Sequence, residues 1–181
     1  MSDVIKNRYE FVVLFDVENG NPNGDPDAGN MPRTDPETSF GIVTDVCLKR
    51  KIRNYVELVH EGEAGYNILI KADKALNTKF TEAYEELGLK TGKDKENKKN
   101  IATAQKYLCK NYYDVRTFGA VMNTGVTPCG TVRGPVQFAF AKSIDPVYPQ
   151  DITITRQAKT TEERQKNGNT EIGKKSIIAY G

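Results

Sequence analysis

The chain has 181 residues, of which 38% are hydrophobic and 28% charged, with a formal net charge of +2. That composition suits one folded domain with a modest core and room for a small lobe or insertion. No apolar run is long enough for a helical membrane span, and Cys47, Cys109 and Cys129 match neither a disulfide framework nor a zinc knuckle. Residues 1–6 lack the apolar core of a signal peptide, and the isolated thiols suit a reducing compartment, so a cytoplasmic location is expected. With so balanced a total, any nucleic-acid function must come from the distribution of charge.

In chain order, Arg8–Val17 reads as an inner strand, because Phe11, Val12, Val13, Leu14 and Phe15 are almost continuously apolar. It empties into Asn19-Gly20-Asn21-Pro22-Asn23-Gly24-Asp25-Pro26-Asp27-Ala28-Gly29-Asn30-Met31-Pro32-Arg33. Gly and Asn tolerate positive φ and Pro fixes φ, so this loop is expected to hold one shape and to offer amides and Arg33 to a ligand. A helix is predicted from about Gly41 to Val59, with Asp35, Thr38 and Ser39 as capping candidates. Leu48, Ile52, Tyr55, Val56 and Val59 form its apolar stripe, and Lys49, Arg50 and Arg53 its basic face. Lys49 and Arg53 are one turn apart and point the same way.

Tyr66–Lys71 reads as a second strand and Lys79–Leu87 as a helix stopped by Gly88. The polar run Lys90–Asn100 is expected to be a mobile insertion, and a helix resumes at Ile101. Tyr112–Met122 runs into a short helix or turn and includes Arg116, Val121 and Met122. A Gly- and Pro-rich stretch containing Arg133 then feeds a strand over Val136–Ile144. Asp151–Ala158 and Lys174–Tyr180 read as the arms of a projecting hairpin, with Arg156 on the first arm.

Catalytic signatures are sparse. His60 is the sole histidine, which excludes zinc sites and mechanisms built on two imidazoles. Neither a GxxxxGK[ST] loop nor a GxGxxG after the first strand is present. Asp25, Asp27 and Asp35 are candidates for a metal-dependent ribonuclease, against the plainer reading of turn residues.

The run Phe15–Pro26, with Arg33-Thr34-Asp35, Thr44–Arg53, Asp114–Met122 and Gly130–Gln137, resembles the Cas7 family, most closely its type I-C branch, Csd2. The resemblance runs through nearly the whole chain, which looks like the amino-terminal part of longer family members. It implies an α+β fold: an RRM-like, ferredoxin-like core with inserted finger and thumb elements, incomplete at the C-terminus. On that reading, residues 1–150 form the core with a helical insertion around 72–111, and 151–181 form a thumb-like hairpin or the start of the remaining core. The implied function is that of a non-catalytic, cofactor-free subunit of a Cascade-type antiviral defense complex. It would polymerise along crRNA and support pairing with target DNA. Its implied partners are neighbouring copies of itself and Cas5-like, large and small subunits, with no membrane. Asn19, Asn21, Asn23, Arg33, Lys49, Arg50, Arg53, Arg116, Val121, Met122, Arg133 and Arg156 are the expected RNA-binding residues. The alternatives are the ribonuclease and a shortened protein-interaction module.

Overall fold

The computed structural model is α+β, with four α-helices among the described residues and small antiparallel sheets, consistent with an RRM-like core. It describes residues 5–91, 95–156 and 171–181, without the side chains of Lys95, Glu96, Arg156 and Glu171. The chain divides into two compact units, residues 1–43 with 141–181, and residues 44–140.

In the first unit, strands β1 (Glu18–Gly20), β9 (Glu171–Tyr180) and β8 (Pro149–Arg156) form one sheet with β9 in the middle. The antiparallel β8–β9 register, from Pro149 opposite Ile178 to Arg156 opposite Glu171, matches the hairpin expected from the alternation of Ile and Thr. β2 (Gly24–Asp25) and β3 (Met31–Pro32) flank a 3-10 turn, and β4 (Phe40–Val43) pairs with β7 (Ala141–Pro146). Val43, Val147, Ile177 and Ile178 are its buried apolar residues.

The second unit holds α1 (Asp45–Val59), α2 (Leu76–Glu86), α3 (Lys95–Asn111) and α4 (Tyr113–Phe118). A short antiparallel pair, β5 (Gly119–Val121) and β6 (Thr131–Arg133), follows α4. Leu69, Phe80, Ala83, Tyr84, Ala104, Leu108, Val115, Met122 and Cys129 make one core cluster. Tyr84 donates its hydroxyl to the Pro128 carbonyl at 2.6 Å, so its polar end is satisfied inside that core. Among the described residues no helix is long and apolar enough to cross a membrane.

Several expectations are corrected. Residues 8–16 carry no regular strand, and Phe11–Phe15 are exposed. The β1–β9 ladder pairs Glu18 with Tyr180 and Gly20 with Ile178, and beyond it Val17 and Gly181 exchange backbone hydrogen bonds at 2.8 and 3.0 Å, so the regular pairing lies after the apolar run and not within it. Tyr66–Lys71 is irregular, with one parallel bridge from Asn67 to Tyr112; the Leu69 and Ile70 amides donate to Asp114 and the Leu69 carbonyl accepts from Lys79, so these groups are not free for a ladder. α1 begins at Asp45 because Thr44 is its N-cap, accepting from the Cys47 amide at 3.3 Å. Asp35 and its neighbours instead close the preceding turn, and Gly41 lies in β4.

The expected faces of α1 hold only in part: Val56 of the apolar stripe is buried and Leu48 and Ile52 are half-buried, but Tyr55 is 65% exposed and Arg53, expected on the basic face, is 7% exposed. An ion pair to a buried aspartate draws Arg53 inward, as described below. The polar run after Lys90 is helical from Lys95, the start of α3; residues 92–94 lie outside the described ones. The strand expected at Val136 begins at Ala141, and the Val136 amide donates to the Thr117 carbonyl at 3.0 Å.

Candidate nucleic-acid interface

The Asn- and Gly-rich loop is a closed miniature hairpin in the first unit. Asn19 takes φ 48° and Asn30 φ 65°, conformations that asparagine tolerates better than most residues. Asn21 Nδ2 donates to the Asn30 carbonyl at 2.7 Å, and the Arg33 amide donates to the Asn23 carbonyl at 3.2 Å. Asp25 caps the 3-10 turn by accepting from the Asp27 amide at 3.1 Å, and it faces Arg33 Nη2 at 3.5 Å. A Cβ on Gly24 would sit 1.9 Å from Asn30 Oδ1, so a larger residue here requires the Asn30 side chain to move. Two buried polar atoms here, Asn21 Oδ1 and Arg33 Nε, have no hydrogen-bond partner. Such orphaned atoms cost about 1–3 kcal/mol each and call for an explanation.

The second unit contains a cleft of about 280 Å³ that brings together residues from distant stretches of the chain. Val46, Lys49 and Arg53 contribute from α1, Leu69 and Ile70 from the irregular segment, and Leu76 and Phe80 from α2. Gly119, Ala120, Val121 and Met122 complete it. The cleft is therefore mostly apolar and carries two cations. Lys49 is 17% exposed and donates to Asp45 Oδ2 at 2.9 Å, a bond that holds the Asp45 carboxyl below its ordinary range.

Arg53 is fixed from two sides. Its Nε donates to Asp114 Oδ2 at 2.9 Å, and its guanidinium carbon lies 5.2 Å from the centroid of the Phe118 ring. Asp114 is 1% exposed and accepts two further bonds, from the Leu69 amide at 2.8 Å and the Ile70 amide at 2.9 Å. The buried Lys79 ammonium donates to the Leu69 carbonyl at 2.9 Å and meets Asp73 at 2.8 Å. The Lys79 bond, more than any other cause, drives the Asp73 carboxyl down to about 2.

β5 forms another side of the cleft, and a pair of glycines sets its position. Gly119 has φ 80°, and a Cβ there would lie 2.4 Å from the Val132 carbonyl oxygen. A Cβ on Gly134 would lie 2.2 Å from the Phe118 carbonyl carbon. Backbone packs on backbone at this point, which no side chain permits.

The expected RNA-binding residues thus fall into distinct places. Lys49, Arg53, Val121 and Met122 share the cleft, with Val121 exposed and Met122 fully buried in the core. Arg50 is half-buried on α1. Asn19, Asn21, Asn23 and Arg33 belong to the closed loop. Arg116 is turned inward: its Nη1 donates to the carbonyl of Gly65, and to those of Lys110 at 3.3 Å and Cys109 at 3.5 Å. It also lies over Tyr66 and Tyr113, so its local work is to close the end of α3. Arg133 is exposed in β6 opposite Gly119. Arg156 ends β8, and its side chain lies outside the described residues.

Sequence reasoning missed Asp114, Lys79 and the Leu69–Ile70 segment. The signal present was Asp114-Val115-Arg116-Thr117-Phe118-Gly119, where the acid sits in the first turn of a short helix and the glycine ends it. The ribonuclease candidates are placed as follows: Asp25 caps a turn and faces Arg33, Asp27 is exposed, and Asp35 accepts from the Thr38 amide at 2.9 Å and the Glu37 amide at 3.0 Å. Those bonds, chiefly the one from Thr38, lower the Asp35 carboxyl. Among the described residues, no group of three or more His, Cys, Asp or Glu side chains is arranged to hold a metal.

Comparison with known proteins accounts for nearly the whole chain. A family model described as "CRISPR-associated protein Cas7" matches residues 7–181. A curated protein of Haloferax volcanii named "CRISPR-associated protein Cas7" is 28% identical over 193 residues. That match covers 97% of this chain and 54% of the relative, so the chain spans about half the length of the curated relative it matches. The chain belongs to the Cas7 family of CRISPR-associated proteins.

Proposed function

We propose that this protein grips a CRISPR guide RNA through its sugar–phosphate backbone, as a non-catalytic subunit repeated along the guide. The observation that carries this reading is the cleft of the second unit. Two cations from one helix face, Lys49 and Arg53, meet an apolar wall that includes exposed Val121. Cations bind phosphate whatever the base, and apolar side chains pack against ribose or a base face without reading hydrogen-bonding edges. That combination suits a guide of variable sequence.

The finer assignment follows from the resemblance. It is to a type I-C assembly with neighbouring copies, Cas5-like, large and small subunits, and target DNA paired to the guide, in the cytoplasm. A thumb-like role goes to the hairpin of β8 and β9.

The test is titration of the chain with labelled single-stranded RNAs of unrelated sequence across a range of salt. Lys49→Gln and Arg53→Met should each weaken every RNA alike and reduce the salt slope by about 0.7, one phosphate contact on a single strand. Unchanged affinity at matched low salt would remove this cleft as the gripping surface. Arg53→Glu is a poor probe, because it sets a second carboxylate against buried Asp114. RNA incubated with the protein and Mg²⁺ should remain intact. Cleavage that disappears in Asp25→Ala would overturn the non-catalytic reading.

A further inference from the structure

We infer that Asp114 is a positioning residue for RNA binding, one that sets the direction of the Arg53 guanidinium and the wall of the same cleft together. The inference deepens the RNA-gripping reading and rests on it.

Arginine is a long side chain with many rotamers, and left to itself it would sample the surface. Here its Nε edge is held by Asp114 Oδ2 and its flat face lies on Phe118. Asp114 and Phe118 come from the same short helix, α4, so one rigid element fixes two sides of the guanidinium. With the Nε edge committed, the opposite edge carries the Nη donors that a phosphate engages as a fork. Arg53 lines the cleft, and on this inference the opposite edge is the one that meets a phosphate.

The remaining bonds of Asp114 go to the wall. Its two oxygens accept from the Leu69 and Ile70 amides, and both residues line the cleft. The carboxylate therefore ties the cation to the surface beside it. A carboxylate buried to 1% exposure and saturated by three donors is preorganised before any RNA arrives. An acid that touched RNA itself would repel phosphate, and burial prevents that contact.

The test is a double-mutant cycle on the full chain, using a labelled unstructured polyuridine RNA. Affinity and salt slope are read at a temperature where thermal melts show every variant folded. Asp114→Asn alone should weaken RNA by about tenfold, the scale of one lost charge-assisted contact. It should also lower the salt slope by about 0.7. In an Arg53→Met background the same change should have no further effect on affinity or slope. If Asp114→Asn leaves RNA binding unchanged, or weakens it by the same factor with and without Arg53, the positioning role is overturned.

A second measurement needs no variant. In wild-type protein the Arg53 Nε–H resonance should shift on adding RNA while staying protected from exchange. An unshifted resonance, or one that loses protection in the complex, also overturns the inference. Wild-type protein that binds no RNA defeats the underlying reading and this inference with it. Wild-type binding with an additive cycle defeats this inference alone.

Discussion

Replacing Gly134 with alanine tests whether the cleft's far side is fixed by backbone contact. The added Cβ would lie 2.2 Å from the Phe118 carbonyl carbon, 2.3 Å from the Gly119 nitrogen and 2.4 Å from the Thr117 oxygen. Ordinary contact starts near 3.4 Å, so the two segments must separate by about 1.2 Å, the difference between 3.4 and 2.2. All three atoms are backbone, so no flexible side chain can swing away. Overpacking of this kind costs about 1–3 kcal/mol, and the absence of a soft neighbour puts Gly134→Ala at the upper end, about 3 kcal/mol. Urea unfolding followed by tyrosine fluorescence is a suitable assay, because there is no Trp and six of the nine tyrosines lie in residues 44–140. The midpoint should fall with an unchanged slope. Gly173→Ala is the control, since its Cβ meets Ile154 at an ordinary 3.4 Å. A loss below about 0.5 kcal/mol at Gly134, comparable to that at Gly173, would refute the close-approach reasoning.

Phe80→Ala should cost about 3–5 kcal/mol, because the ring is fully buried, whereas Tyr55→Ala should change stability by less than about 0.5 kcal/mol. The reverse order, measured by the same unfolding curves, would restore the expected stripe as the packed face of α1. Asp73 has a carboxyl depressed from 3.8 to about 2, so its contribution is complete above 3.8 and is lost as pH falls through about 2. Asp73→Asn should therefore be less stable than wild type at neutral pH and lose less stability across that acid window; identical pH slopes would contradict the Lys79 pairing. Burial pushes the Cys129 thiol up to about 11, so it should resist a thiol-specific reagent near neutral pH until the chain is unfolded. Rapid labelling of Cys129 in the native protein would contradict its place in the core.

The sequence carried clear information wherever a local rule governed the outcome. α2, the later part of α3 and the paired arms of β8 and β9 all follow periodicity and turn chemistry. The loop's closed shape follows from residues that tolerate unusual φ. The failures share one cause, long-range partners. Phe11–Phe15 look like a strand by composition, yet they are exposed and the β1 ladder begins only at Glu18. Arg53 sits on a face that charge patterning assigns to water, and only Asp114, sixty-one positions away, pulls it inside. Lys49 and Arg53 were legible as a pair from helical spacing, but their meeting with Val121 and Met122 depends on how α4 delivers β5. Arg116 shows the limit of reading single residues, since an arginine in a motif can serve carbonyls as readily as phosphates.

The central claim is that the cleft of the second unit meets RNA, and photocrosslinking tests it most directly. Thiouridine-substituted RNA bound to the full chain is irradiated and the crosslinked peptides are mapped by mass spectrometry. The account predicts crosslinks on the peptides that carry Lys49, Ile70 and Val121, lost when unlabelled RNA of any sequence competes. Crosslinks confined to peptides that line no part of this cleft, at a salt concentration where binding is saturated, would contradict it.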